Sequence, residues 1–256
     1  MTTMKKIFFV TGATAGFGKA TSEKLISEGH VVIGCGRRAE RLEAMRNELG
    51  DRFHPLAFDI QSKEAIADAI NSLPAELKEI DALVNNAGLA KGLSNAQEAD
   101  LSDWDQMIST NITGLVHVTR HILPGMVQRN RGMIINIGSI AGNWPYPGGN
   151  VYGATKAFVR QFSLNLRADL AGTNVRVSNI EPGLCGDTEF SNVRFDGDES
   201  KVKAIYENVD FVRPEDIANI ISWLATQPEH VNINSLEVMP VAQSFSALKV
   251  TRKAKD

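Results

Sequence analysis

A tyrosine and a lysine four residues apart, Tyr152 and Lys156, are the side chains of this sequence best suited to acid–base chemistry. Residues at positions i and i+4 of a helix lie on one face, so the phenol and the ammonium would be neighbours. An adjacent ammonium favours the phenolate and predicts a Tyr152 pKa below its ordinary value of about 10. Such a tyrosine can act as a general acid or base. Pairs of this kind also arise by chance on helix surfaces, so the meaning of this one depends on the residues around it.

Two polar residues upstream could share a site with this pair. Ser139 comes just after the apolar segment 133–137. A strand there would place Ser139 at the carboxyl edge of a parallel sheet, where ligands bind. Asn111 falls inside a long helical segment, which is an unfavourable place for asparagine unless its amide has a partner. The segment 85–88 (Asn-Asn-Ala-Gly) ends another predicted strand, and its small residues permit a close approach of the backbone to a ligand.

Three glycines, Gly12, Gly16 and Gly18, lie between the first predicted strand and the first predicted helix. They allow a tight turn, and the helix N-terminus behind them offers free N–H groups to a pyrophosphate. The Gly-x3-Gly-x-Gly spacing differs from the common Gly-x-Gly-x2-Gly fingerprint. An ordinary glycine-rich turn is the alternative, and the strand before it and the helix after it favour a dinucleotide site.

The end of the second predicted strand indicates which dinucleotide. An NAD site needs an acidic residue about 20 residues after the glycine motif, but neither Asp nor Glu occurs between Glu28 and Glu40. Arg37 and Arg38 stand there instead. Guanidinium groups suit the 2′-phosphate of NADP. The alternative is that the two arginines are exposed residues at the start of the next helix and bind nothing. It is weak because a cation at a helix N-terminus opposes the helix dipole. We therefore predict NADP as the cofactor.

Apolar segments of strand length alternate with amphipathic segments of helix length along the whole chain. We predict strands at 7–10, 31–33, 53–58, 82–84, 133–137, 175–180 and 236–238. We predict helices at 18–28, 39–49, 63–72, 101–128, 151–170 and 214–225. This alternation predicts an α/β protein, a single-domain doubly wound parallel sheet with helices on both faces. Residues 1–256 would form one domain, with an irregular lid-like loop at 183–200 and a C-terminal tail at 241–256.

Composition excludes several classes of function. The chain has 256 residues, of which 27 are basic and 30 acidic, so its net charge of −3 gives no field to attract nucleic acid. No apolar segment approaches the roughly 20 residues of a membrane span. The two cysteines and the short apolar segment near the N-terminus predict a cytoplasmic protein. His117 and His121 have the spacing of a helical metal pair but lack a third ligand, so we predict that no metal is bound.

Taken together and in order, these motifs resemble those of the short-chain dehydrogenase/reductase family. The resemblance rests on the glycine turn, segment 85–88, Asn111, Ser139, Tyr152-x3-Lys156 and Pro182-Gly183, within about residues 5 to 240. It implies that residues 1–256 form one NADP-binding oxidoreductase domain with a Rossmann fold, in which 183–200 is the substrate loop. It also implies a catalytic tetrad of Asn111, Ser139, Tyr152 and Lys156. Tyr152 would be the acid–base group and Ser139 would polarise the reacting oxygen. Lys156 would bind ribose and lower the Tyr152 pKa, and Asn111 would hold a water linked to Lys156.

The resemblance also extends to the cofactor contacts. Asp59 and Ile60 resemble the adenine-contacting positions of the family, and Thr188 resembles the residue that anchors the nicotinamide or the phosphates. The predicted cofactor-binding residues are Gly12, Thr14, Gly16, Phe17, Gly18, Arg37, Arg38, Asp59, Ile60, Asn86, Ala87, Gly88, Tyr152, Lys156, Pro182, Gly183 and Thr188.

Segments 143–163 and 189–195 resemble one group within that family, the NADP-dependent 3-hydroxy acid dehydrogenases, also called serine or L-allo-threonine dehydrogenases. This resemblance implies oxidation of a 3-hydroxy acid or reduction of a 3-oxo acid such as malonic semialdehyde, and a homotetramer. A broad carbonyl or 3-oxoacyl reductase is an alternative enzyme, and a non-catalytic NADP sensor is an alternative class.

Four residues are candidates for binding the small-molecule substrate: Ser139, Trp144, Tyr146 and Arg194. Trp144 and Tyr146 fall between Ser139 and Tyr152, so they either wall the pocket or pack within a loop. Arg194 is the only Lys or Arg between Gly183 and Lys201, so we predict that it binds the substrate carboxylate. A solvated surface arginine is the alternative.

Overall fold

Seven strands and nine α-helices make up the protein in the computed structural model, which describes residues 5–245. The strands are β1 Ile7–Thr11, β2 Val31–Gly36, β3 Phe53–Ala57, β4 Ala82–Asn85, β5 Gly132–Ile137, β6 Val175–Pro182 and β7 Ser235–Val238. The helices are α1 Gly16–Ser27, α2 Ala39–Leu49, α3 Lys63–Asn71, α4 Leu101–Ile108, α5 Leu115–Gln128, α6 Asn150–Asp169, α7 Phe190–Arg194, α8 Glu199–Tyr206 and α9 Pro214–Thr226. Short 3₁₀ turns occupy Gly50–Arg52, Ala75–Leu77, Ala96–Glu98 and Ile140–Gly142.

All seven strands pair in parallel in one sheet, in the order β3-β2-β1-β4-β5-β6-β7. Alternate residues of β1 enter different cores. Phe8 and Val10 pack with α1, α2 and α9, whereas Phe9 packs with α3, α5 and α6. A strand buried on both faces needs apolar residues at every position, which explains its continuous apolar sequence. The predicted doubly wound parallel sheet with helices on both faces is confirmed.

The strand order reverses between β1 and β4, which makes their carboxyl ends the switch point of the sheet. A crevice forms there, because the connections that follow the two strands turn to opposite faces. Thr11 and Asn86 tie the two strand ends together. The Asn86 and Ala87 amides donate to Thr11 Oγ1 at 3.0 and 2.9 Å, and Asn86 Nδ2 donates to the carbonyl of Thr11 at 2.9 Å.

The helix predicted over 101–128 is two helices joined by a π-helical segment, Ser109–Gly114, which contains Asn111. Gly114 lets this segment press against the loop after β3, since a Cβ there would lie 2.6 Å from the Ile60 carbonyl oxygen. π-Helical turns occur mostly as single insertions, frequently at functional sites. The prediction of one continuous helix was wrong because residue periodicity over 28 positions does not report a one-residue insertion.

Segment 183–200 was predicted to be irregular, but it contains α7 and the first residues of α8. Within the tail predicted at 241–256, residues 241–245 fold back on the loop after β6, and Leu184 N donates to Gln243 Oε1 at 2.7 Å. Residues 246–256, among them Arg252, Lys253 and Lys255, lie outside the described residues. Among the helices of residues 5–245, none has the length and apolar character needed to cross a bilayer.

Candidate active site

A cavity of about 680 Å³ runs along the carboxyl ends of β1, β4, β5 and β6 and is covered by α7 and α8. This volume lies within the range of small-molecule and cofactor sites. Of the predicted cofactor and catalytic residues, all but Gly18 and Asn111 line the cavity, and the four predicted substrate residues do so as well.

The glycine turn forms a backbone cradle at one end of the cavity. Gly12 and Gly16 have φ angles of +66° and +49°, which favour glycine. A Cβ on Gly12 would lie 3.0 Å from Ala87 Cα, and one on Gly16 would lie 3.1 Å from Thr188 Cγ2. Gly18 lies beneath the turn and packs against its backbone, since a Cβ on Gly18 would lie 2.2 Å from the Gly12 carbonyl oxygen. Gly18 therefore supports the turn and does not face the cavity. The cradle leaves room for a dinucleotide's phosphates directly before the N-terminus of α1.

Two arginines at the end of β2 line the cavity beside this cradle, as the sequence predicts. Arg38 Nη2 donates to Thr14 Oγ1 at 3.0 Å, which fixes the guanidinium against the glycine turn. Arg38 Nη1 donates to Glu189 Oε2 at 2.9 Å, and Arg41 Nη1 donates to Glu189 Oε1 at 2.6 Å. Asp59 and Ile60 form the neighbouring wall. This end of the cavity is cationic and suits an anionic group such as a phosphate.

Tyr152, Ser139 and Lys156 meet at the other end of the cavity. Tyr152 and Lys156 are buried in the first turns of α6. Lys156 Nζ donates to the Ile137 carbonyl at 2.8 Å and lies 5.8 Å from the centre of the Tyr152 ring. Ser139 Oγ accepts from the Ala141 amide at 3.1 Å. The helix and the end of β5 thus bring together three residues predicted to act together.

Asn111 lies behind this cluster and does not line the cavity. Its Oδ1 accepts from the Leu89 amide at 2.9 Å, while its Nδ2 donates to the Leu89 carbonyl at 2.9 Å and to Thr155 Oγ1 at 3.1 Å. Asn111 therefore ties the chain after β4 to α6. A Cβ on Gly88 would lie 3.3 Å from Asn111 Oδ1 and 3.4 Å from Lys156 Nζ, so this glycine keeps open the space between them.

Burial controls the ionisation of Tyr152 and Lys156. Removal from water raises the pKa of Tyr152, and the Ser139 hydroxyl offsets only part of this rise. Burial lowers the pKa of Lys156 to about 8. The prediction that Lys156 lowers the Tyr152 pKa is not met in the chain alone, because both groups are desolvated and the lysine is directed to a backbone carbonyl.

Aromatic and cationic side chains surround the space next to Tyr152. Arg194 Nη2 donates to Tyr146 Oη at 2.8 Å, and its guanidinium carbon lies 5.6 Å from the centre of the Tyr152 ring. The Phe190 ring packs edge-on against Tyr152, with centroids 5.7 Å apart. Trp144 lines the cavity but is half exposed, and its Nε1 donates to Glu237 Oε2 at 3.0 Å. The alternative of a fully solvated Arg194 does not fit this position.

The profile of the short chain dehydrogenase family matches residues 6–199. The chain belongs to this family. It is 64% identical over 244 residues to a probable NADP-dependent dehydrogenase of Haemophilus influenzae, covering 95% of this chain and 97% of that protein. It is 58% identical over 247 residues to an NADP-dependent 3-hydroxy acid dehydrogenase of Escherichia coli strain K12, covering 96% and 100%. A closed form of serine dehydrogenase complexed with NADP⁺ matches with a TM-score of 0.95 and 58% identity, covering 96% of this chain and all of that one.

Sequence reasoning missed several residues that line the site of this short chain dehydrogenase. Glu189 and Tyr206 come from the lid, which extends beyond the predicted 183–200 to the end of α8 at Tyr206. Gln243 and Phe245 come from the C-terminal segment. The Phe245 ring packs on Trp144 with centroids 4.5 Å apart. Nothing in their local sequence marks them, because each enters the cavity through contacts with distant parts of the chain.

Cys185 lines the cavity, yet burial raises the pKa of its thiol to about 12. A thiol that stays protonated is a poor nucleophile. Within residues 5–245, no group of three or more His, Cys, Asp or Glu side chains is placed to hold a metal ion.

Proposed function

We propose that this protein transfers a hydride between NADP(H) and the 3-position of a small 3-hydroxy or 3-oxo acid. The observation that carries the proposal is the position of Arg194, with its guanidinium carbon 5.6 Å from the centre of the Tyr152 ring. A cation at this distance can bind a carboxylate two carbons away from the carbon that reacts at Tyr152. The names of the similar proteins from Escherichia coli and of the serine dehydrogenase support the same substrate class.

In this proposal Tyr152 handles the proton of the substrate oxygen. Because burial raises its pKa, Tyr152 is protonated at neutral pH and can donate to the carbonyl oxygen of a 3-oxo acid. In the oxidation direction the phenolate takes the proton of the hydroxyl group. The Ser139 hydroxyl holds the same oxygen, and Asn111 positions α6 through Thr155. When bound, NADP supplies the donor or acceptor of the hydride.

The preference for NADP in this proposal comes from the arginines at the end of β2. Arg37 and Arg38 would bind the 2′-phosphate, and the glycine turn with the α1 N-terminus would hold the pyrophosphate. Asp59 and Ile60 would contact the adenine, and Lys156 the ribose beside the nicotinamide. The curated relatives with NADP in their names support this choice.

Within the substrate class, we propose L-serine, L-allo-threonine and 3-hydroxypropionate or malonic semialdehyde as the first compounds to test. A broad carbonyl or 3-oxoacyl reductase has no need of a guanidinium beside the acid–base tyrosine, so Arg194 favours the small acids. A non-catalytic NADP sensor has no need of Tyr152 and Lys156 in this arrangement. We also propose a homotetramer, on the resemblance to the 3-hydroxy acid dehydrogenases, and a cytoplasmic location, supported by the two free cysteines.

The test replaces Arg194 and compares 3-hydroxypropionate with its methyl ester, which lacks the negative charge and carries one additional methyl group. A charge-assisted hydrogen bond contributes about 1.5–3 kcal/mol, so Arg194→Ala should lower kcat/KM on the acid by about 10- to 150-fold. The ester should lose little. Arg194→Lys keeps the charge and should restore part of the activity on the acid. Equal losses on both substrates would show that Arg194 positions the lid and does not bind the carboxylate.

A further inference from the structure

The lid carries one carboxylate into the cationic end of the cavity. Glu189 directly precedes α7 and lies between two guanidiniums, with Oε2 2.9 Å from Arg38 Nη1 and Oε1 2.6 Å from Arg41 Nη1. These contacts join segments 151 and 148 residues apart in sequence. Arg38 also holds the glycine turn through Thr14, so the carboxylate connects the lid to the proposed phosphate site.

The lid segment around α7 is anchored at both ends. At its start, Thr188 packs beside Gly16 and Glu189 binds the two arginines. At its end, the Arg194 carbonyl accepts from the Gly92 amide at 2.9 Å, and Asp196 pairs with Lys91. Residues 188–196 therefore cross the cavity from the glycine turn to the chain after β4. A dinucleotide lying between the two ends of the cavity would be enclosed beneath them.

The ion pairs at the Glu189 end of segment 188–196 are exposed to water. The Glu189, Arg38 and Arg41 side chains are 43%, 38% and 47% exposed, so water screens their ion pairs. Burial opposes the ionisation of Glu189, but hydrogen bonds from Arg41 and Arg38 hold its pKa below the ordinary value. The carboxylate is therefore charged at neutral pH, and its bonds can form and break readily.

Charge balance allows the carboxylate and a phosphate to occupy this cluster together. Arg37, Arg38 and Arg41 bring three positive charges, and Glu189 neutralises one of them. The remaining two match a phosphate monoester, which carries about −1.5 to −2 at neutral pH. Arg41 is thus the cation that allows the lid carboxylate to bind without depriving a 2′-phosphate of its counter-charges.

We propose that Glu189 and Arg41 are positioning residues of the cofactor site, which fasten the lid to the arginines of the 2′-phosphate pocket and slow the release of the dinucleotide. The inference rests on the proposed function, because it takes Arg37 and Arg38 as the phosphate ligands. It makes dissociation of either NADPH or NADH depend on breaking the Glu189 ion pairs. Direct competition between Glu189 and the 2′-phosphate for the same arginines would have the opposite effect on NADPH.

The experiment measures dissociation of NADPH and of NADH by stopped-flow fluorescence, in the wild-type protein and in Glu189→Gln. Exposed ion pairs are weak, so we expect dissociation of both dinucleotides to become about two- to tenfold faster. Arg41→Gln should have a similar effect, and the double variant should show less than the product of the two effects. Glu189→Asp, which keeps the charge on a shorter side chain, should recover part of the slow dissociation. Glu199→Gln makes the same charge change on the exposed surface of α8 and should leave both rates unchanged.

Two results would overturn the proposal. Slower NADPH dissociation with unchanged NADH dissociation in Glu189→Gln would establish competition, and unchanged rates for both would exclude any fastening role. Arg38→Gln tests the underlying cofactor site separately, because loss of a phosphate ligand raises the Kd of NADPH far more than that of NADH. Equal effects of Arg38→Gln on the two dinucleotides would refute the 2′-phosphate site, whereas the Glu189→Gln rates would still decide the role of the lid.

Discussion

The cavity has a floor and a lid that are held in place by different forces. The floor consists of the carboxyl ends of β1, β4, β5 and β6 with the first turns of α6, and the lid consists of residues 183–206. On the floor, Thr11 and Asn86 lock the ends of two buried strands through three hydrogen bonds to one hydroxyl and one carbonyl. On the lid, α7 is short, and the residues near its ends, Asp187 and Asp196, have φ angles of +54° and +49°. Aspartate tolerates this backbone conformation better than most residues. The floor is therefore held by hydrogen bonds between two strand ends, whereas the lid turns at residues that tolerate a left-handed backbone.

The energetic consequence follows from burial. Buried polar groups gain strength from the low local dielectric and are costly to leave unpaired, so the Asn111 and Lys156 contacts define one arrangement. Exposed ion pairs contribute about 0–1 kcal/mol each, so the lid contacts can bias its position without fixing it. Substitutions on the floor should change chemistry or folding, and substitutions on the lid should change mainly binding and release.

The largest effect is expected at Tyr152 on the floor. Tyr152→Phe removes the transferable proton but keeps the ring, so kcat should fall by about 10²- to 10⁴-fold. The Kd of NADPH should stay near the wild-type value because the phenol is not among the proposed phosphate contacts. Tyr206→Phe makes the same chemical change on the lid, where the hydroxyl donates to the Cys185 carbonyl. This substitution should lower kcat far less than Tyr152→Phe does. Turnover by Tyr152→Phe close to that of the wild type would refute the proposed mechanism.

A smaller effect should appear in the pH dependence of stability. Burial holds the pKa of Lys156 at about 8, below its ordinary value of 10.5, so the folded chain binds fewer protons between these pH values. The free energy of unfolding of the wild type, minus that of Lys156→Met, should therefore rise by up to about 3 kcal/mol from pH 8 to pH 10.5. Urea denaturation without cofactor measures the difference.

The matched control for that measurement is Lys201→Met, because the Lys201 side chain on the lid is 64% exposed. The difference in the free energy of unfolding between the wild type and Lys201→Met should not change over the same pH range. If the difference between the wild type and Lys156→Met also did not change with pH, the Lys156 ammonium would be hydrated in solution. Burial of this charge in the floor would then cost no free energy of folding.

The smallest effect is expected at the far end of the lid. Asp196→Asn removes the charge that pairs with Lys91 but keeps a residue that tolerates a positive φ angle. The free energy of unfolding should change by less than about 1 kcal/mol, since exposed ion pairs rarely contribute more. Denaturant titration provides the measurement. A loss of several kcal/mol would show that the lid unfolds together with the floor, and would remove the distinction between the two regions.

Much of the floor could be predicted from the sequence because its signals are local. The apolar segments of β1 and β5 directly reflect burial on both faces, and the helical spacing of Tyr152 and Lys156 places them on one face. The glycine turn is equally local, since its residues are close in sequence and its backbone conformation demands glycine. The roles of the tetrad came from the resemblance of the motifs, because spacing alone does not assign a proton to a residue.

The parts that escaped prediction depend on tertiary contacts. Nothing near Glu189 in the sequence indicates that it binds Arg38 and Arg41, because the two sides lie about 150 residues apart. In the chain alone, burial raises the pKa of Tyr152, opposite to the predicted direction, because sequence spacing reports which groups are near but not how much water surrounds them. The π-helical turn at Asn111 depends likewise on packing against Ile60.

The contribution of residues 239–245 to the cavity wall has a consequence for the order in which the site is built. Ribosomes synthesise a chain from its N-terminus, and domains begin to fold during synthesis. The glycine turn emerges early, whereas Gln243, which binds the amide of Leu184, emerges only after every strand of the sheet. Residues 239–245 are therefore the last of the described cavity-lining residues to leave the ribosome.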